Sequence, residues 1–327
     1  MLKKNPLVSI CIPVYNNADY IVETMESVLN QTYKNIELIV VDDNSKDNSL
    51  ELIRTASDEF VKKGMADMVC DLTDREIFYI SGTTDDPANK TPLVDFERSN
   101  IPELPDNDFR IIYIYHNDKN LGMSGNWNRS MELCRGEYIK LICADDQIHS
   151  SLVEREVNAM QQNPEIVLVE SDTEFRNKAN KPSGSYPRYG KGIVDGKKIA
   201  HHSLFSRDYF GAPLANLIRT SAYKEFSGID PTFSYIVDYD FYMKLACHGL
   251  VYVIREPLNY FRIREDSNTG EVLGGDQGNV YVAEHRKLVE KYAPVLGLSK
   301  RQIERSVRIR KFMSFLGGIY LKLKLSK

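Results

Sequence analysis

Two apolar runs of strand length stop abruptly at paired carboxylates, and this recurrence constrains the fold more than anything else in the chain. Leu38-Ile39-Val40-Val41 ends at Asp42-Asp43, followed by Asn44 and Ser45. Downstream, Tyr138-Ile139-Lys140-Leu141-Ile142-Cys143-Ala144 ends at Asp145-Asp146. A near-continuous apolar run suits a strand of parallel sheet that is covered on both faces. In open α/β sheets, ligands gather outside the carboxyl ends of such strands, at the crevice where strand order reverses. The two endings therefore predict one polar site, with one pair reading a ligand and the other holding a cation. Taken singly each pair has a plainer reading, since Asp, Asn and Ser also favour helix N-caps. That reading is less comfortable for Asp145-Asp146, whose charges repel unless a cation or donors gather around them.

The flanking pattern alternates. Residues 8–12 read as a strand stopped by Pro13, residues 20–29 carry one apolar stripe at helical spacing, and residues 36–41 form the second strand. Asn44 or Ser45 is the expected N-cap of a helix running through Leu50 and Ile53 towards Phe60. Strand–helix–strand–helix order predicts a parallel sheet with right-handed crossovers. From Cys70 to Asp108 the pattern breaks into prolines and acids. We expect an insertion on the sheet rim there, with one short strand at residues 77–80. Alternation resumes with a strand at 110–115, a helix from Asn120 to near Cys134 stopped by Gly136, and a strand at 138–143. Ser150 or Ser151 should cap a helix to Met160, and residues 166–170 should form a strand. Residues 178–192 read as a polar loop, and Asp195 should cap a helix carrying His201 and His202. Residues 214–219, 251–255 and 258–262 read as later strands.

At 327 residues the chain has room for one large α/β domain with an appendage, or two modest domains. A net charge of −4 gives no case for a nucleic-acid partner. Cys11, Cys70, Cys134, Cys143 and Cys247 are scattered without a CxxC pair, which suits a reducing cytoplasm. No signal segment and no apolar run of about 20 residues is visible, so a cytoplasmic protein is expected. The end of the chain is different. Residues 302–325 interleave apolar side chains with Arg305, Arg308, Arg310, Lys311, Lys322 and Lys324, against the single acid Glu304. A basic amphipathic helix over 301–327 is attracted to an anionic membrane surface by about 1 kcal/mol per Lys or Arg. The alternative is a terminal helix packing on its own domain or on a second copy in a homodimer.

Three blocks together resemble the inverting family 2 glycosyltransferases of GT-A fold. The first is Val8-Ser9-Ile10-Cys11-Ile12-Pro13-Val14-Tyr15-Asn16-Asn17, followed by Ser27 to Tyr33 and Glu37 to Asp47. The second runs from Asn120-Leu121-Gly122 through Asn128 to Gly136-Glu137-Tyr138-Ile139 and Ala144-Asp145-Asp146. The third is Asp238-Tyr239-Asp240-Phe241-Tyr242-Met243-Lys244-Leu245, with Pro257-Leu258-Asn259-Tyr260-Phe261-Arg262 behind it. The resemblance implies a mostly parallel, Rossmann-like central sheet flanked by helices. Its catalytic domain would span 1–265: a nucleotide half at 1–147 with an insertion at about 66–109, and an acceptor half at 148–265. A helical extension over 266–327 would follow.

The same resemblance implies roles. Pro13, Val14 and Tyr15 would line the base pocket, Asp43 would accept from the base N–H, and Asp42 would shape that turn. Asn16, Asn120, Gly122 and Asn128 would complete the donor site. Asp145 and Asp146 would straddle the ribose and a divalent cation, Mn²⁺ or Mg²⁺, with Asp146 the stronger ligand. Such a cation neutralises a departing diphosphate. Asp238 would be the base that takes the proton of the acceptor hydroxyl, with Asp240 its rival.

Two departures stand out. Relatives often carry Arg-x-His where this chain has Arg262-Ile263-Arg264; a guanidinium cannot ligate a metal, but it can hold a phosphate directly. Relatives also often have an Arg where Trp127 precedes Asn128. His116, His201 and His202 lack clustered partners and read as surface or satisfied residues. The expectation is transfer of a sugar from a nucleoside diphosphate donor, UDP- or dTDP-linked, to a saccharide or lipid-linked hydroxyl, with inversion, in bacterial surface-polysaccharide synthesis. A sugar nucleotidyltransferase and an inert nucleotide-sugar-binding relative remain as alternatives. The former ordinarily shows a Gly-rich basic phosphate loop, which Pro13-Val14-Tyr15-Asn16 does not offer.

Overall fold

In the computed structural model the described residues are 5–72, 77–81, 91–93, 109–226, 228–264 and 278–325. The first half is built from β1 (Val8–Val14), α1 (Ile21–Leu29), β2 (Ile36–Asp42), α2 (Ser49–Lys62), β6 (Arg110–His116), α3 (Gly122–Glu132) and β7 (Tyr138–Leu141). Three short strands, β3 (Met68–Asp71), β4 (Ile77–Ser81) and β5 (Thr91–Leu93), extend one edge. The second half holds β8 (Gln147–Ile148), α4 (Leu152–Met160), β9 (Ile166–Arg176), β10 (Pro182–Tyr186), β11 (Gly192–Asp195), α5 (Gly196–Phe205), β12 (Asn216–Arg219), α6 (Thr220–Phe226), α7 (Val237–Ala246) and β13 (Leu250–Arg262). Two helices follow, α8 (Gly278–Leu296) and α9 (Lys300–Leu325).

Among the described residues these strands make one sheet in the order β11-β13-β9-β12-β7-β1-β2-β6-β3-β4-β5, with β10 on β9 and β8 on β13. β7, β1, β2 and β6 are mutually parallel. β12 runs antiparallel between β7 and β9, so β9 and its parallel partner β13 point the same way as β1. This is the α/β architecture with a central sheet flanked by helices that the sequence implies; its central strands are parallel as expected, and β12 and the edge strands make it mixed. Every residue of β1 and β2 is buried, because helices cover both faces and alternate side chains enter opposite layers. Cys11, Ile39, Val41, Tyr113 and Leu141 join Trp127 and Met131 of α3 and Phe241 and Tyr242 of α7. Ile10, Ile12, Leu38, Val40 and Ile114 join Ile21 and Met25 of α1, Ile53 and Phe60 of α2, and Leu152 of α4.

Several local expectations are corrected. Neither Asn44 nor Ser45 caps α2; the helix starts at Ser49, after Asn48. Asn44 instead takes a left-handed turn at φ 58°. The side chains that follow staple the β1–α1 loop, with Asn16 N donating to Ser45 Oγ at 3.0 Å and Ala18 N to Asp47 Oδ2 at 3.1 Å. The rim insertion contributes three strands rather than one. The loop over 178–192 contains β10, hairpinned onto a β9 that continues to Arg176. The two strands expected at 251–262 are one strand with register shifts around Pro257. Asp195 does cap α5, accepting from Lys197 N at 2.8 Å, whereas Ser151 stands at the N-cap of α4 without a side-chain bond.

The C-terminal helices lie on α5 and on each other. Ser306 Oγ donates to Leu204 O at 2.6 Å, and Arg310 reaches Tyr281 Oη at 2.9 Å and Ser203 O at 3.2 Å. Ser306, Val307 and Arg310 of α9 are therefore buried, while Arg301, Arg305, Arg308 and Lys311 face outward. The first half of the basic helix is thus docked on its own chain. Among the described residues, no helix is long and apolar enough to cross a membrane.

Candidate active site

Parallel register gathers the strand ends on one edge. Val14 stands opposite Asp42, which stands opposite His116. Cys11 pairs with Leu141, so Asp145, four residues past Leu141, reaches the same edge as Tyr15. Pro13 and Val14 are buried, whereas the Tyr15 ring is 44% exposed and available for a face contact. Asn16 sits in a left-handed turn at φ 52°, and its Oδ1 accepts from Lys46 N at 2.7 Å.

Asp43 organises the second block. Its buried carboxylate accepts from Asn117 Nδ2 at 2.8 Å, Leu121 N at 2.8 Å and Gly122 N at 3.0 Å. Asn120 Nδ2 donates to the Asp43 carbonyl at 3.1 Å, and Gly122 takes φ 72°, a turn that favours glycine. An N–H from a bound base would have to share the Asp43 oxygens with these donors. Asp42 pairs through Oδ2 with His116 Nδ1 at 2.8 Å and with Ser45 N at 3.1 Å. Its Oδ1 is buried without a hydrogen-bond partner among the described residues. Asn128 is turned elsewhere: it accepts from Ile229 N at 2.7 Å and donates to Ile229 O at 3.1 Å, fixing the loop before α7.

The acids after β7 meet the end of β13. Asp146 is buried, and its Oδ1 accepts from Arg262 N at 3.0 Å, while its Oδ2 has no hydrogen-bond partner among the described residues. Asp145 Oδ2 lies 3.0 Å from Arg264 Nε. The guanidinium groups of Arg262 and Arg264 both approach the Tyr20 ring, at 4.7 and 4.9 Å. Burial, and then the charge of Asp145, push the Asp146 carboxyl well above the usual carboxylate range. A divalent cation would reverse that preference. Two hard carboxylates, one with an unpartnered buried oxygen, fit such an ion when a ligand's phosphates complete its shell.

Asp238 lies in the first turn of α7, partly exposed, with Oδ1 accepting from Tyr239 N at 2.8 Å. Burial, and then the nearby Asp208 carboxylate, raise it to about 7. Asp240 is fully buried and both its oxygens are engaged, by Lys291 and Tyr292. The second and third blocks approach each other near Cys143: its thiol is pushed well upward by burial and by the charges of Asp146, Asp145 and Asp238, with Arg264 opposing.

Some residues here escape sequence reasoning. Asn117 follows the apolar run of β6, the same strand-end position as the two acid pairs, and that signal could have found it; His116, read as a surface or satisfied residue, is satisfied by Asp42. Asp208 and Arg188 lie in loops without pattern. Arg188 is buried and bonded to Asp172, Ser171 and Thr173 of β9, and it supplies the positive charge near Asp208 and Asp238.

Comparison with known proteins accords with this geometry. The family model described as Glycosyl transferase family 2 matches residues 9–65 and 95–226, more than half of the chain. An uncharacterized glycosyltransferase of Rickettsia typhi is 26% identical over 273 residues, covering 82% of this chain and 68% of that protein. Chondroitin synthase of Escherichia coli is 26% identical over 302 residues; the match covers 91% of this chain but only 34% of that synthase. Among solved structures, S. aureus TarS 1-349 in complex with UDP-GlcNAc superposes with a TM-score of 0.60 at 14% identity, covering 92% of this chain and 70% of that one. The mannosyltransferase PcManGT of Pyrobaculum calidifontis, in complex with GDP-Man and Mn2+, gives 0.58 at 12% identity, with 97% and 74% covered. The strand-end site, the sheet that builds it and the matched family model agree: the chain belongs to glycosyl transferase family 2, the glycosyltransferases.

Proposed function

We propose that this chain transfers a sugar from a nucleoside diphosphate donor, UDP- or dTDP-linked, to a hydroxyl of a saccharide or lipid-linked acceptor, with inversion at the anomeric carbon. The observation that carries the reading is the convergence of Asp145, Asp146 and Asp238 on one neighbourhood, where Asp146 keeps a buried oxygen unpartnered. Tyr15 offers the base a ring face, and the Asp43-anchored turn at 120–122 borders the donor cleft. Asp145 and Asp146 would hold a divalent cation, which when bound offsets the charge of the leaving diphosphate. Arg264, now paired with Asp145, carries a guanidinium suited to the same phosphates.

Asp238 takes the proton of the acceptor hydroxyl as its oxygen forms the new bond to the anomeric carbon. The bond from that carbon to the diphosphate oxygen breaks on the opposite face, and the nucleoside diphosphate carries away the electron pair. A carboxyl raised to about 7 is well matched to that proton near neutrality. Such a group contributes about 10²- to 10⁴-fold.

The outward face of α9, with Arg301, Arg305 and Arg308 at spacings of four and three, suits an anionic membrane surface. That placement agrees with a lipid-linked acceptor in surface-polysaccharide synthesis. The test is a thermal-shift screen against nucleotide sugars with and without Mn²⁺, followed by product analysis. Release of nucleoside diphosphate supports transfer; formation of nucleoside triphosphate and sugar 1-phosphate when pyrophosphate is added marks a nucleotidyltransferase; binding with neither product marks an inert relative.

A further inference from the structure

The group that takes the acceptor proton in the proposed reaction stands in the first turn of α7, whose Val237 and Tyr239 pack into the core through apolar contact. Among the described residues, the Asp238 carboxylate accepts from the adjacent Tyr239 N, a local contact. Ile236, at the N-cap, supplies no side-chain cap, and N–H groups at a helix start lack intrahelical acceptors.

Helix α8 supplies polar anchors to the backbone that leads into that turn. The buried carboxylate of Glu284 accepts from Ser234 N at 2.6 Å, Tyr235 N at 2.9 Å and Ile236 N at 3.2 Å. Two turns later on the same face, Lys291 Nζ pairs with Asp240 Oδ1 at 2.8 Å and with Asp230 Oδ2 at 3.0 Å. The Tyr292 hydroxyl donates to Asp240 Oδ1 at 2.9 Å. Leu288, fully buried between these polar contacts, seats the face. The grip therefore falls at 234–236 and again at 240, on both sides of Asp238.

We propose that Glu284, with Lys291 and Tyr292, is a positioning clamp that sets the register of α7 and so the place of the Asp238 carboxylate. The clamp touches neither donor nor acceptor, and its role rests on the reading of Asp238 as the base. Charge-assisted bonds from one carboxylate to three backbone N–H groups are stronger than neutral ones. Misplacing a reacting group by about 1 Å can cost about 10²-fold.

The experiment uses the full chain with a mixture of UDP-glucose, UDP-galactose and UDP-N-acetylglucosamine plus Mn²⁺, reading UDP release with water as acceptor, UDP affinity by calorimetry, and hydrogen–deuterium exchange. Glu284→Ala is expected to lower kcat by about 10²-fold with UDP affinity and the donor KM unchanged. Exchange should speed at the first turn of α7 but not in β2 or α3. Glu284→Gln, which keeps one acceptor oxygen, should recover part of the rate. The milder Tyr292→Phe and Lys291→Ala should each show the same kcat-only pattern, so the result does not hang on one variant that could misfold. Unchanged exchange in α7, or a loss of UDP affinity in step with rate, overturns the clamp. Asp238→Asn run in parallel separates the two ideas: if it keeps full turnover the base reading fails, whereas an inactive Asp238→Asn beside a fully active Glu284→Ala sinks the clamp alone.

Discussion

The backbone N–H of Arg262 donates to Oδ1 of Asp146 at 3.0 Å, tying the end of β13 to the acid that follows β7. One oxygen of Asp146 is thereby fixed and the other left for an outside partner. Asp146→Asn presents an amide N–H where a cation would need an oxygen. We expect Mn²⁺-dependent donor affinity to fall at least about tenfold in calorimetry. Thermal stability without ligand should be unchanged or higher, since a buried carboxyl held far above its ordinary range is replaced by a neutral group.

Asp238, raised to about 7 by burial and by Asp208, must be ionised to accept a proton. The rate of transfer should therefore climb as pH rises through about 7 and level off above it. Asp238→Asn should lose about 10²- to 10⁴-fold in turnover while binding donor normally. Wild-type turnover in that variant would falsify the base assignment.

Asp43 is a structural hub as well as a candidate ligand. Asp43→Ala removes an acceptor from Asn117 Nδ2, Leu121 N and Gly122 N, although Asn117 keeps Asn126 Oδ1 and Gly122 keeps Asn120 Oδ1. Lost hydrogen bonds of this kind cost about 0.5–1.5 kcal/mol each. Urea unfolding should show a lower midpoint, and on the proposed reading of Asp43 as a donor ligand, nucleotide affinity should fall with it.

Glu170 on β9 is fully buried, neither carboxylate oxygen has a hydrogen-bond partner among the described residues, and burial raises it to about 8. Unfolded, it would titrate near 4.5. Between those values the folded chain holds a proton that the unfolded chain releases, so stability falls as pH rises through the window. Glu170→Gln removes that dependence. Its melting temperature should exceed the wild-type value by a margin that widens from pH 5 to pH 8.

The combined variant Arg301→Glu, Arg305→Glu and Arg308→Glu reverses the outward face of α9 without touching the inward Ser306, Val307 and Arg310. Sedimentation with vesicles containing phosphatidylglycerol should drop sharply while the fold, followed by circular dichroism, is retained. Equal pelleting of the two proteins would remove the membrane surface as a partner.

What could be read from residues alone followed from period and chemistry. The buried strands β1, β2, β6 and β7 are apolar runs ended by polar residues, and both acid pairs fall at those ends. Tertiary demands overrode local preference elsewhere. Ser45 and Asp47 bond to the β1–α1 loop, so α2 starts later than N-cap chemistry suggests. Pro257 sits within β13 because bulges there absorb its missing donor. Residues 178–192, polar and rich in Gly and Pro, hide a hairpin strand whose pairing depends on the distant β9. The clamp on α7 was invisible for the same reason: Glu284, Lys291 and Tyr292 look like one polar face of an ordinary helix until α7 lies beneath them.

The alignment of Val14, Asp42 and His116 across three parallel strands limits how this cleft can diversify. A shift of β2 by a single residue would turn every one of its side chains to the opposite layer, emptying both cores at once. The strand ends are therefore rigid ground. On the proposed reading, changes of donor preference fall to the exposed side chains beside them, Tyr15 and Leu121, which can be exchanged without disturbing a single strand pairing.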